Sequence, residues 1–260
     1  MVQDSTGFQD CALPLFSGGK PHVAAVDPNV KSGFGKEPSY LRDHRKRLRE
    51  RFLTGGAQAM PDYELLEMIL FRAIPRQDVK PLARQMIDLF GDLAGVITAP
   101  EARLRKIVGV GDSVIAELKL AEACAKRMAR ARVMHRPVIS SWDALLDYCH
   151  TAMSHRETEE FRVLFLDRKN SLIADEAQGS GTVDHVPVYP REIMRRALEL
   201  NASALILVHN HPSGDPTPSQ ADIAMTEQVQ RAGESLSITL HDHLVIGKSC
   251  EISFRASGLL

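Results

Sequence analysis

Two histidines and an aspartate that follow an apolar run have the types and spacing of metal ligands. Leu205–Val208 is the apolar run; His209 and His211 come next, and after a Gly- and Pro-rich loop the chain reaches Ser219 and Asp222. Because residues i and i+2 of an extended chain point to the same side, both imidazoles can approach one ion. Asp222 falls in the first turn of the helix that we expect near Ser219, from which it can be turned back toward the histidines.

Two neutral imidazoles and one carboxylate form a zinc site with three protein ligands. Such a site keeps a fourth coordination position for water, which is the arrangement of catalytic rather than structural zinc. Zinc lowers the pKa of bound water to about 7 and so produces hydroxide at neutral pH. The pattern therefore predicts a Zn²⁺ cofactor and a hydrolytic reaction.

A purely structural explanation exists for part of this pattern. Ser219-x-x-Asp222 is also a capping box, in which each residue bonds the backbone of the other at a helix start. The complete combination of strand, His-x-His, loop, serine and aspartate favours metal binding. The two interpretations are compatible, since a capped helix start would aim Asp222 at His209 and His211.

A second His-x-His pair, His241 and His243, lacks a following Ser-x-x-Asp. Both residues precede Val245 and Ile246 in a strand-like run, so we interpret them as histidines packed at a strand end. Asp242 and His243 are expected to support the sheet near the site without a chemical role.

The segment from His209 to Asp222 resembles the JAMM (JAB/MPN+) metalloprotease motif, His-x-His-x7-Ser-x-x-Asp, at every specified position. Its HNHPSGDPTPSQAD form resembles the RadC family, as do Tyr189–Glu192 upstream and Asp242-His243 downstream. The helical first half also resembles RadC proteins. The resemblance covers roughly residues 40 to 260.

The resemblance implies roles for individual residues. His209, His211 and Asp222 match the zinc ligands, and Ser219 matches a serine that stabilises the tetrahedral oxyanion. The family also has a glutamate before its first long strand that holds the water and shuttles its proton. Its usual position, two residues before the first large apolar residue of the strand (Phe161), favours Glu159 over Glu160. Glu192 is a weaker rival, because acidic residues are common in a helix's first turn.

The first half of the chain is predicted to be helical from Tyr40 to Arg132. Helices are expected to begin at Pro61-Asp62, to span Gln77 to Phe90 and Ala102 to Ile107, and to run from Ser113 to Ala131. Leu65, Leu66, Ile69 and Leu70 recur at helical spacing and should face a core.

Gly109 and Gly111, between two predicted helices, are typical of a helix-hairpin-helix. Such a hairpin can bind a nucleic-acid backbone through the free N–H groups of the second helix. Plain helix packing is the alternative, and Asp112 puts a negative charge where a phosphate would lie. Basic clusters at residues 42–51 and 126–136 allow polyanion contact but are also typical of solvated helix faces.

The second half alternates strands and helices. Strands are expected at Phe161–Asp167, Leu172–Ala174, Leu205–Val208 and Ile238–Ile246, with helices from Ser140 to Ala152, Pro190 to Leu200 and Ser219 to Ala232. The predicted class is α/β (α+β): an all-helical domain, then a JAB/MPN-like (cytidine-deaminase-like) mixed sheet flanked by helices. The predicted organisation is a disordered tail (1–38), a helical domain (39–133), a linker (134–140) and a metal-hydrolase domain (141–260).

Composition is that of an ordinary globular protein. The chain has 260 residues, 44% hydrophobic and 25% charged, with a net charge of −1 that gives no overall attraction to nucleic acid. Four scattered cysteines fit a reducing compartment. The start of the chain lacks a secretory signal, and no run of 18 apolar residues occurs, so we expect a cytoplasmic protein with no membrane partner.

The prediction is thus a zinc-dependent metallohydrolase, peptidase- or isopeptidase-like, acting on an unidentified protein or peptide. The alternative is a DNA-associated repair or recombination accessory protein that uses the helical half, as the proposed repair role behind the RadC name implies. A third possibility is metal binding without turnover.

Overall fold

The computed structural model of the protein describes residues 39–180 and 188–260. The first half of the chain folds into a group of helices, because its apolar residues recur at helical spacing. The tail predicted over residues 1–38 lies outside the described residues. The helices are α1 (Ser39–Gly55), α2 (Asp62–Ala73), α3 (Lys80–Phe90), α4 (Leu93–Thr98), α5 (Glu101–Leu104) and α6 (Asp112–Val133).

The core of the helical half is formed by the apolar faces of these helices. Leu66 and Leu70 of α2 are fully buried, and Leu65 and Ile69 are partly buried against the same core, as their spacing predicts. Three further helices contribute to this core: α3 through Met86, α5 through its last residue, Leu104, and α6 through Leu118. Burial of each such side chain contributes roughly 1.5–3 kcal/mol to folding.

The third helix begins at Lys80 rather than at Gln77, so the predicted start was wrong by one turn. The buried guanidinium of Arg45 donates hydrogen bonds to the carbonyls of Ile74 (2.9 Å), Gln77 (2.7 Å) and Pro75. These carbonyls are thereby held in a loop. A basic residue that we considered for polyanion contact is used instead to hold the chain between α2 and α3.

A short turn joins α5 to α6 and contains both glycines of the predicted hairpin. The expected helix over Ala102–Ile107 is shorter, Glu101–Leu104, and tight turns follow it. Gly109 has φ +93°, a left-handed conformation that favours glycine, whereas Gly111 caps α6 with φ −100°. The helix α4 was not predicted.

The second half contains a five-stranded mixed sheet in the described residues, with strand order β2-β1-β3-β4-β5. Strands β3 and β4 are parallel, and the other neighbouring pairs are antiparallel. The strands are β1 (Glu160–Leu166), β2 (Leu172–Ser180), β3 (Ala204–Asn210), β4 (Thr239–Ile246) and the unpredicted β5 (Glu251–Ser253). The predicted mixed sheet is confirmed.

Helices cover both faces of this sheet. They are α7 (Trp142–Met153), α8 (Pro190–Glu199) and α9 (Gln220–Glu234). One core joins α7 to side chains such as Leu164 and Ile206, and the other joins α8 and α9 to Phe161, Val163 and Leu207. Every residue of β3 is buried, which explains why its sequence is a continuous apolar run.

The stretch predicted as a linker, 134–140, packs along the sheet. Met134 forms an isolated bridge with Leu172, Pro137 forms one with Ser171, and Val138 is buried. The described residues, 39–180 and 188–260, belong to one compact unit. Among the helices of the described residues, none combines the length and apolar character that crossing a membrane requires.

The two hairpin glycines offer a matched test of this backbone. We expect Gly109→Ser to lower the free energy of unfolding by about 1–3 kcal/mol, because serine is strained at positive φ. Gly111→Ser should be neutral or slightly stabilising, because serine is a favourable residue at a helix N-cap. Urea unfolding followed by circular dichroism measures both, and equal effects of the two substitutions would contradict the assigned turn.

Candidate metal centre

Two imidazoles converge where β3 ends. His209 is fully buried on β3, and His211 lies just beyond the end of the strand and is partly exposed. Their Nε2 atoms are 3.0 Å apart. The backbone N–H of His211 donates to the carbonyl of Ile246 (3.0 Å), so the chain beyond β3 stays attached to β4.

The carboxylate of Asp222 completes the cluster from the start of α9. Its Oδ1 is 3.4 Å from His209 Nε2, and its Oδ2 is 3.7 Å from His211 Nε2. One ligand atom from each of the three residues lies within 4.8 Å of the others. The structure thus brings together the three side chains that the sequence predicts as zinc ligands.

The capping box at the start of α9 holds this carboxylate in place. The backbone N–H of Ser219 donates to Asp222 Oδ2 (2.7 Å), and the backbone N–H of Asp222 donates to Ser219 Oγ (3.2 Å). The Ser219 hydroxyl also donates to Asp222 Oδ2, at 2.6 Å. The cap therefore fixes the direction of Asp222, as the sequence suggested, and places Ser219 beside the cluster.

The hydrogen bonds of His211 and the chemistry of the donor set test whether a metal fits here. Nδ1 of His211 lies 2.8 Å from the carbonyl oxygen of Asp215. A carbonyl only accepts hydrogen bonds, so Nδ1 carries a proton, and in the neutral imidazole, the form that binds metals, the lone pair of Nε2 points into the cluster. Two imidazoles and a carboxylate are a donor set of catalytic zinc sites. The residues present fit zinc.

Charges around the cluster keep the carboxylate ionised. Burial raises the pKa of Asp222, but hydrogen bonds with His209, His211 and Ser219 outweigh burial and hold that pKa well below its ordinary value. The pKa of His211 is raised, mainly by its hydrogen bond with Asp222 and, among smaller contributions, by the charge of Glu159. Glu159 is therefore near enough for its charge to act on the cluster.

The two candidate glutamates have different surroundings. Phe161 stacks on the His209 ring with the ring centres 6.1 Å apart, and alternation along the chain puts Glu159 on that same side. Glu160 is buried and ion-paired with Arg156 (2.5 Å) and Arg162 (2.7 Å). The placement favours Glu159 as the residue near the metal ligands and gives Glu160 a structural role.

Asn210, the unspecified residue of His-x-His, is a functional candidate that the sequence reasoning missed. Its buried side chain accepts a hydrogen bond from the backbone N–H of Glu160 (2.9 Å) and donates one to the carbonyl of Thr158 (3.2 Å). These bonds hold the chain on both sides of Glu159. The motif carries no signal for this contact, because it leaves that position open.

The second His-x-His pair divides into two different environments. Nε2 of His241 lies 2.8 Å from Asn170 Oδ1, outside the cluster, in keeping with a packing role. His243 is fully buried, and its Nε2 lies 2.8 Å from His209 Nδ1. His243 is thus packed in the strand as expected, and its contact with His209 is a feature that the sequence reasoning missed. The available signal in the sequence was a histidine within a predicted strand of the same sheet.

Gly109 and Gly111 lie in the turn before α6 and are not among the residues of the cluster. Basic residues near that helix have acidic partners: Arg105 pairs with Asp112 at 2.6 Å, and Lys126 pairs with Glu122 at 2.6 Å. These pairs are typical of solvated helix faces. Nucleic-acid contact by the hairpin stays a prediction.

Comparison with known proteins gives matches to both halves. The family described as RadC-like JAB domain matches residues 139–259, and the family described as UPF0758 N-terminal matches residues 42–116. A UPF0758 protein of Ruegeria pomeroyi is 74% identical over 223 residues, which are 86% of this chain and 100% of the relative. A UPF0758 protein of Rhodobacter capsulatus is 74% identical over 213 residues, covering 82% of this chain and 100% of the relative.

Replacing the carboxylate ligand tests the metal centre. Asp222→Asn keeps the size of the side chain but removes its charge. We expect zinc affinity to fall by more than about 100-fold, because loss of a residue that only hydrogen-bonds a metal ligand already costs about 10- to 100-fold. Asp215→Asn is the control, because the Asp215 side chain bonds Thr217 and only its backbone contacts His211. Competition with a chelator of known affinity measures both, and unchanged zinc affinity in Asp222→Asn would remove this residue from the ligand set.

Proposed function

The chain belongs to the RadC family of UPF0758 proteins, and on that premise we propose that it is a zinc-dependent hydrolase of amide or isopeptide bonds in proteins or peptides. The observation that carries the proposal is the convergence of His209, His211 and Asp222 within 4.8 Å at the end of a buried strand. The three groups supply the donors of a catalytic zinc site. Zinc, when bound, supplies a Lewis acid that polarises a carbonyl and makes water more acidic.

The Glu159 carboxylate is the proposed general base and acid. It would receive a proton from the attacking water and deliver that proton to the nitrogen of the leaving amine. Its charge already acts on His211, and Asn210 holds the backbone on both sides of it. This support would hold the backbone that carries the carboxylate in place during both proton transfers.

The Ser219 hydroxyl is the proposed donor to the substrate oxygen. It is exposed and donates to Asp222 Oδ2 at 2.6 Å. Rotation about the Cα–Cβ bond would release this hydrogen bond and turn the hydroxyl toward the oxygen on which negative charge develops. A donor that strengthens its contact as charge develops stabilises the transition state more than the substrate.

A cleft of about 600 Å³ that includes the residue after His211 in its lining gives the helical half a place in this proposal. Pro212, which follows His211, lines one side of the cleft, and Phe90 and Pro100 line it from the helical half. A polypeptide segment lying in the cleft would contact both halves and pass beside the residue that follows His211. The helical half would then contribute to substrate binding, whether or not it also contacts nucleic acid.

We expect Glu159→Gln to slow hydrolysis strongly while zinc stays bound. General acid–base catalysis contributes typically 10²- to 10⁴-fold, so cleavage should fall by at least about 100-fold. The measurement is mass spectrometry of new peptide ends after incubation of zinc-loaded protein with a peptide library derived from a proteome. Glu192→Gln is the matched control, because Glu192 is paired with Arg191 and Arg195 on α8.

The outcomes separate the parts of the proposal. Cleavage by wild type and Glu192→Gln but not by Glu159→Gln, at equal zinc content, supports the assignment. Full cleavage by Glu159→Gln would exclude this residue as the base. A zinc-loaded wild type that cleaves no peptide would contradict peptidase activity while leaving metal binding intact.

A further inference from the structure

A continuous chain of hydrogen bonds connects two of the metal ligands through residues outside the motif. His209 Nδ1 lies 2.8 Å from His243 Nε2, and His243 Nδ1 lies 2.7 Å from Thr226 Oγ1. Thr226 Oγ1 in turn lies 2.6 Å from the backbone carbonyl oxygen of Asp222. The chain therefore begins at the main chain of one ligand residue and ends on the ring of another.

The carbonyl at one end determines the direction of every bond in this chain. Since the Asp222 carbonyl only accepts, the Thr226 hydroxyl must donate to it. The Thr226 oxygen then accepts from His243 Nδ1–H, which leaves His243 Nε2 as an acceptor. The remaining proton must come from His209 Nδ1, so in the neutral ring the lone pair of His209 is on Nε2, the atom that faces His211 and Asp222.

We propose that His243 and Thr226 are positioning residues that select the metal-binding tautomer of His209 and thereby set the affinity of the site for zinc. The proposal rests on the zinc site proposed above and extends it beyond the JAMM motif residues. Neither residue contacts the point where the ligand atoms converge. They act through His209, whose ring nitrogens would otherwise be free to exchange roles.

Burial makes this selection effective. His243 and His209 are fully buried and Thr226 is nearly so, with Phe161 and Phe254 packed against the His243 ring. No bulk water is present there to satisfy an unpaired nitrogen, and a buried polar group without a partner costs about 1–3 kcal/mol. A tautomer that breaks the chain is therefore disfavoured.

Removal of the Thr226 hydroxyl would permit the opposite arrangement. Without that acceptor, His243 can carry its proton on Nε2 and donate to His209 Nδ1. His209 would then carry its own proton on Nε2, where Asp222 Oδ1 lies 3.4 Å away as an acceptor. In this second network His243 Nδ1 faces the valine with a lone pair rather than with an N–H, every other ring nitrogen of the two histidines has a partner, and the proton on His209 Nε2 blocks the nitrogen that binds the metal.

The test substitutes Thr226 and measures metal affinity and tautomer separately. Thr226→Val keeps the shape of the side chain, and we expect its zinc affinity to fall by about 10- to 100-fold, the usual effect of losing an outer partner. Thr226→Ser retains the hydroxyl and should bind zinc as the wild type does. In the metal-free full chain, nitrogen NMR of the histidine rings should show the His209 proton on Nδ1 in wild type and Thr226→Ser, and on Nε2 in Thr226→Val.

Thr151→Val is the control for the loss of a helical threonine hydroxyl. Thr151 Oγ1 donates to the carbonyl of Asp147 at 2.7 Å, the same local bond as in Thr226, but no histidine is bonded to it. If Thr226→Val had wild-type zinc affinity and an unchanged His209 tautomer, the inference would be overturned while the proposed function would stand. Absence of zinc binding by the wild type would instead overturn the proposed function on which it rests.

Discussion

The site depends on two lone pairs that face each other. The Nε2 atoms of His209 and His211 are 3.0 Å apart, and when both rings are neutral the hydrogen bonds on their other nitrogens leave both Nε2 atoms without protons. Such an arrangement is repulsive unless a cation lies between the nitrogens and their neighbouring carboxylate. The capping box, the loop from His211 to Asp215 and the packing of His243 all serve to keep these groups converged.

Much of the fold and the ligand set could be predicted because the signals are local. The apolar run of β3, the following histidines and the Ser219 cap lie in one continuous segment, and their geometry follows from strand alternation and helix capping. The strands and helices flanking β3 were likewise recognisable from apolar periodicity. Their boundaries shifted by a few residues where contacts from other elements intervened, as at Arg45.

The remaining parts depend on pairings between distant segments. That β4 lies parallel to β3, with His243 beside Leu207 in the register, follows from a crossover through α9 that no local pattern specifies. The contact between Asn210 and the chain around Glu159 joins residues fifty positions apart in the same way. Sequence spacing favoured Glu159 over its neighbour, and the ion pairs of Glu160 with two arginines supply the physical reason for their different roles.

The capping box has a consequence for local stability. The carboxylate of Asp222 both holds the first turn of α9 and faces the two histidines. Binding of an ion to this carboxylate and unwinding of the first turn therefore exclude each other. Metal occupancy and local opening of α9 are therefore linked equilibria, and each biases the other by the same free energy. The few amide protons at the start of α9 therefore report on the site. Their rate of exchange with solvent deuterium depends on the fraction of molecules in which the site holds a metal ion.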